Sequence, residues 1–192
     1  HEVDYTVGLA LRSNALVLEQ LTTTWLAGGL LGVAVAFGGI AVAVRRGLSA
    51  RQGILVGQIG TIVVGNVYFW GNYNILGVLD RTGDGLIASH GPYYHFDLLL
   101  PFGAFAAVGA LAILRGVRRL ADERLDPRGA QIAVVAVILV GAGVLGGVTV
   151  ANADRPVSMN ERATETYAGA YEPFEEQSLD GGLVSLPTPY GD

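Results

Sequence analysis

Cysteine is absent from the 192 residues. Disulfides, cysteine-ligated zinc, iron–sulfur clusters and thiol nucleophiles are therefore excluded. Lysine is absent too, and all twelve basic residues are arginine, a coding bias to which no mechanism attaches. Charge is scarce: 15% of residues carry it, against about 25% in an ordinary soluble domain. No charged side chain lies near the middle of any long apolar stretch. That argues against a proton pump or ion-coupled carrier, which needs an acid or base within the membrane. The sequence also lacks a phosphate-binding loop, a dinucleotide-binding glycine motif and a serine nucleophile elbow.

What is present is apolar. Hydrophobic residues make up 51% of the chain and the mean hydropathy is +0.45. Four stretches stand out, about 23–44, 54–76, 96–114 and 130–151. Each approaches the roughly 20 residues that a helix needs to cross a bilayer, and none has the polar stripe of a soluble amphipathic helix. The expected fold is an all-α membrane protein with four transmembrane helices in a glycine-packed bundle. An N-terminal arm over 1–22 and an acidic tail over 152–192 flank the 23–151 bundle. Within the arm, Val7, Leu11, Leu18 and Leu21 recur at near-helical spacing, as in a helix lying in the membrane interface or extending span one. Trp25 falls where an interfacial aromatic belongs.

Arginine placement gives an orientation. Arg45, Arg46 and Arg51 lie between spans one and two, and Arg115, Arg118, Arg119, Arg124 and Arg128 between spans three and four. These eight share their side with only Asp122, Glu123 and Asp126, a net +5; the other side holds four arginines against fourteen acids, a net −10. Arginine near span ends marks the cytoplasmic face, so both termini and the 77–95 loop are expected on the extracytoplasmic side. A chain that begins outside, at His1, fits removal of a signal peptide. The basic residues are accounted for as that flank, where lipid headgroups suffice as partners, and nucleic-acid binding is not indicated.

Glycines recur along the spans: Gly28, Gly32, Gly38 and Gly39 in the first, Gly53, Gly57, Gly60 and Gly65 in the second, Gly143 and Gly147 in the fourth. In lipid, small residues let helix backbones approach closely. The second span also carries Gln58, Thr61 and Asn66, whose expected role is hydrogen bonding between helices. Pro101 falls in the first turns of the third span, where proline is tolerated, and Asp97 sits where the helix dipole favours an acid. The tail interleaves acids with Tyr167, Tyr171, Phe174 and Tyr190, a pattern that suits an extended docking segment on a partner.

His1, His90 and His95 form the only cluster with ligand chemistry. Imidazole suits copper, zinc, iron and haem. An N-terminal histidine can chelate copper through its amine and ring, and the topology offers His90 and His95 on the same side. Gly91 and Pro92 separate those two, so they are not neighbours on one helix face. No histidine lies within a span, which disfavours a haem between helices. The Asp80–Gly85 loop alternates oxygen donors with glycine but lacks the closing glutamate of a calcium loop. Three functions follow. The first is an integral membrane subunit of a multi-subunit complex, packing on other subunits or on copies of itself through glycine faces and outside arms. The second is a redox or metal subunit with an outer-face copper site. The third is a small transporter or channel lined by Gln58, Thr61 and Asn66.

Overall fold

The computed structural model describes residues 4–77, 79 and 85–176. Every regular element among them is helical. In order these are α1 (Val7–Gln20), a π-helical turn (Leu21–Trp25), α2 (Gly29–Arg45), α3 (Ala50–Gly65), α4 (Trp70–Leu76), α5 (Ile87–His90), a 3-10 segment (Tyr93–Leu98), α6 (Leu99–Arg124) and α7 (Pro127–Glu176). Two helical stretches, Ile87–Arg124 and Pro127–Gly169, are long and apolar enough to cross a membrane. The count reaches four if each of two bent helix pairs is one span.

Those bends are the main departure from four straight spans. α1 with its π turn meets α2 at 100°, and α3 meets α4 at 77°. Local chemistry explains the first break. Thr22 and Thr23 bond back to Leu18 O and Glu19 O, at 2.8 and 2.7 Å, which competes with the regular ladder. The Leu26 amide then reaches Leu21 O, five residues back, at 2.8 Å, and the next two glycines turn the chain. Gly28 and Gly29 have φ of 75° and 55°, a left-handed region that costs other residues energy. Breaking a helix at membrane depth frees backbone groups that must find partners. α7 supplies them: Thr149 Oγ1 accepts from the Gly28 amide at 2.8 Å, and Asn152 Nδ2 donates to Thr23 O at 2.7 Å.

The other helix ends follow their sequences. Ser49 and Gln52 form a reciprocal capping box at the start of α3. Asp126 accepts from the Gly129 amide at 3.0 Å, and Pro127 takes the first position of α7, where its missing N–H costs nothing.

α2 and α6 form the tight pair. A side chain at Gly39 would strike Phe105 O, and one at Gly109 would strike Val35 O. The two backbones therefore cross through glycine. Leu21, Leu26, Ala36, Ala43, Leu98, Phe102 and Phe105 make the core around this crossing. α3 is peripheral: Leu55, Val56, Ile59, Ile62 and Val63 pack half-buried on that core, and none of its residues is fully buried. α7, at 50 residues, is roughly 75 Å long at 1.5 Å per residue. No part of its most apolar stretch is buried within the chain, against 28% for that of Ile87–Arg124. The helix runs on through residues 152–176, so this part of the acidic tail is helical where an extended docking segment was expected. Residues 177–192 lie outside the described residues.

α1, α4 and α5 pack together through Val17, Ile75, Leu76 and Ile87. The face that α1 turns inward differs from its apolar pattern. Ala10, Ser13, Asn14, Val17 and Leu21 are buried, whereas Val7 and Leu11 are exposed. Small and amide side chains win the inner face because the neighbouring elements offer Asn14 hydrogen-bond partners.

Candidate functional site: a buried amide and imidazole cluster

The polar centre of the molecule lies where α1, the α3–α4 break and the 3-10 segment meet. Asn14 comes from the buried stripe of α1. Asn66 caps the C-terminus of α3, and Asn72 follows in α4. His95 arrives on the 3-10 turn, which the Gly91–Pro92 pair sets up: Gly91 has φ of 73°, and the His95 amide bonds to Pro92 O at 2.7 Å.

Asn14 Oδ1 accepts two bonds, from Asn72 Nδ2 at 3.3 Å and from His95 Nε2 at 3.2 Å. Asn14 Nδ2 donates to Val63 O at 3.4 Å. Asn72 Nδ2 donates also to Asn66 O at 2.8 Å, and Asn66 Nδ2 to Ile62 O at 3.0 Å. Three segments distant in sequence, α1, the α3–α4 break and the 3-10 segment, are thereby tied by side-chain amides and one imidazole. Ser13, Asn72 and His95 are fully buried, and Asn14 is 5% exposed. Three side-chain atoms of the cluster have no hydrogen-bond partner: Ser13 Oγ, Asn72 Oδ1 and His95 Nδ1.

An aromatic belt lies beside this cluster. Tyr5 meets Tyr68 edge-on at 5.6 Å, Phe69 meets Tyr94 at 4.7 Å and Trp25 packs on Phe96 at 5.8 Å. The Tyr5 hydroxyl donates to Phe69 O at 2.9 Å. Partial burial, reinforced by the neighbouring Tyr68, raises the Tyr5 hydroxyl above the ordinary tyrosine range.

The three histidines fare differently. His1 lies outside the described residues. His90 is exposed at the end of α5, its Nδ1 2.8 Å from Ser89 Oγ, while Asn160 of α7 donates to Ser89 O at 3.0 Å. His95 is buried in the cluster. Among the described residues, no three or more histidine, cysteine, aspartate or glutamate side chains gather closely enough to hold a metal ion.

The polar residues of α3 also divide. Gln58 reaches another element, donating to Asp97 O at 3.1 Å. Thr61 folds back to Gly57 O of its own helix at 2.8 Å and stays exposed. Asn66 joins the cluster. Asp97 is exposed and α6 begins two residues later, at Leu99, with Pro101 buried in its first turn.

Sequence reasoning singled out His95 and Asn66 but left Ser13, Thr149 and Asn152 unassigned. The signal for Ser13 and Asn14 was their place at helical spacing between Ala10 and Val17. Nothing local marks Thr149 and Asn152, because their partners lie more than a hundred residues away.

No family model, curated protein or solved structure matches the chain.

Proposed function

We propose that the chain is an integral membrane subunit of a larger membrane complex. Its open glycine faces contact other subunits, and both termini and the 77–95 segment lie on the extracytoplasmic side. One observation carries the reading. α3 packs one half-buried apolar face, Leu55, Val56, Ile59, Ile62 and Val63, on the core and fully buries no residue, while nothing lies within 4 Å of a side chain built at Gly53, Gly57, Gly60 or Gly65. Glycine in a helix interior costs about 1 kcal/mol relative to alanine. In lipid that cost is offset where another backbone approaches closely. Gly39 and Gly109 have that return within the chain, each against the backbone of the facing helix.

Two features add support. Gly141, Gly143, Gly146 and Gly147 of α7 are equally open. Beyond the apolar part of α7, residues 161–169 are all exposed, and a lone polar helix of that kind is marginal in water without a partner surface.

The test is a mass measurement on protein extracted in mild detergent. An assembly well above the 20.0 kDa of one chain is the expected result. A single 20.0 kDa chain at every protein concentration would count decisively against it.

A further inference from the structure

α7 is held to the bundle at two separated places. At one end only Leu125 and Asp126 separate it from α6. Toward the other, Thr149 accepts from the Gly28 amide and Asn152 donates to Thr23 O. Between these ties lies a cleft of about 520 Å³ against α2 and α6. Every residue lining it is apolar, Leu31, Leu114, Ile138 and Leu145 among them. A second trough of about 450 Å³ runs along α2 and α6 and shares Ala34, Val35 and Ile113 with the first. The two are arms of one apolar fork. Water gains nothing in an apolar void, and the lining of an empty one forgoes dispersion contacts.

The fork has a polar mouth. Leu114 and Arg118 lie one turn apart on α6, as do Val134 and Ile138 on α7, and residues so spaced share a helix face. The cleft thereby continues into a space of about 340 Å³ lined by Arg118, Asp122 and Gln131. Arg118 and Asp122 are exposed and 3.8 Å apart, a pair worth little in that setting. The guanidinium keeps donors for a phosphate, whose geometry its planar fork matches, and the Gln131 amide adds another. Two apolar arms that meet below an arginine have the charge and apolar layout of a two-chain phospholipid.

We propose that this groove binds one diacyl phospholipid from the leaflet at the arginine-rich end of the helices. Its phosphate lies at Arg118 and Gln131 and its acyl chains fill the two arms. Gly38 lines one arm and Gly141 the other, and nothing lies within 4 Å of a side chain built at either. Glycine there keeps the arms open. Gly141 is about 200° around α7 from Gly143 at 3.6 residues per turn, so the lipid and the face proposed for other subunits lie on opposite sides of the helix. Such a lipid needs the membrane setting proposed above but no other subunit.

The experiment is native mass spectrometry of the full chain taken from mild detergent. The added probe is dioleoyl phosphatidylethanolamine, whose ammonium suits the neighbouring Asp122. One phospholipid retained per chain is the expected result. Gly141→Phe and Gly38→Leu fill the arms, and each should weaken retention about tenfold or more, as displacing two buried methylenes does. Arg118→Gln should weaken it about threefold, the scale of one exposed ion pair. Gly53→Phe, at an equally open glycine of α3 outside the groove, should change nothing. The proposal is overturned if no phospholipid stays bound, as when another subunit fills the groove, or if the arm-filling variants keep it as the unsubstituted chain does. Equal loss in Gly53→Phe, the mark of a general lipid coat, overturns it too, as does displacement by inorganic phosphate. If Gly141→Phe does not fold, Gly38→Leu and the count on the unsubstituted chain decide. A single chain carrying one such lipid would refute the assembly and leave the site standing.

Discussion

Glycine does opposite things in two parts of this molecule. Where α2 crosses α6, Gly39 and Gly109 are filled against a neighbour: an added Cβ would collide with Phe105 O or Val35 O. Along α3, and again along α7 from Gly141 to Gly147, the same residue borders open space. A composition count cannot separate the two, since both look like small residues repeated through an apolar helix. The difference locates the part of the bundle that is complete within one chain. It also shows which faces have the geometry for close approach without using it there.

The largest effect should come from spoiling the closed crossing. Gly39→Leu or Gly109→Leu forces backbone apart and should destabilise the monomer by about 3 kcal/mol or more, read as loss of a cooperative thermal transition in detergent. Gly57→Leu or Gly143→Leu should leave that transition within about 0.5 kcal/mol, as for substitutions away from packed sites, while reducing the assembled mass. If both pairs behaved alike, the distinction between closed and open faces would fail.

Next comes the amide cluster. Asn14→Leu removes an acceptor shared by Asn72 and His95 and should cost about 2–3 kcal/mol by stranding both. Proteolysis or hydrogen exchange should locate that loss in α1 more than in the α2–α6 pair. The smallest effect belongs to the caps of the first helix break. Thr149→Val leaves the Gly28 amide without its partner and should cost about 1 kcal/mol, seen as faster amide exchange at Gly28.

Much of the architecture was legible in the residues because its causes are local. Ser49 and Gln52, or Asp126 and Pro127, announce helix starts through their own side chains, and the apolar stretches announce helices suited to a membrane. The breaks at 26–28 and between α3 and α4 were not read. The three threonines before the Gly28–Gly29 pair were a local hint, but the break persists because Thr149 and Asn152 satisfy it from α7. The inner face of α1 was not read for the same kind of reason. Ser13 and Asn14 look like ordinary polar positions until Asn72 and His95 are in place to bond Asn14. His95 was noticed as a ligand type, yet its burial against Asn14 depends on contacts that span 81 positions.

Because the chain has no cysteine, single cysteines can report on each face without removing any. The decisive measurement is labelling of Gly57→Cys, Gly60→Cys and Val64→Cys in native membranes by a lipid-soluble maleimide, with the exposed Leu111→Cys on α6 as the lipid-facing reference. Protection along the α3 stripe, relieved when the same proteins are moved to strong detergent, is the predicted result. Labelling of the stripe as fast as at the reference would mean that lipid, and no other subunit, covers that face.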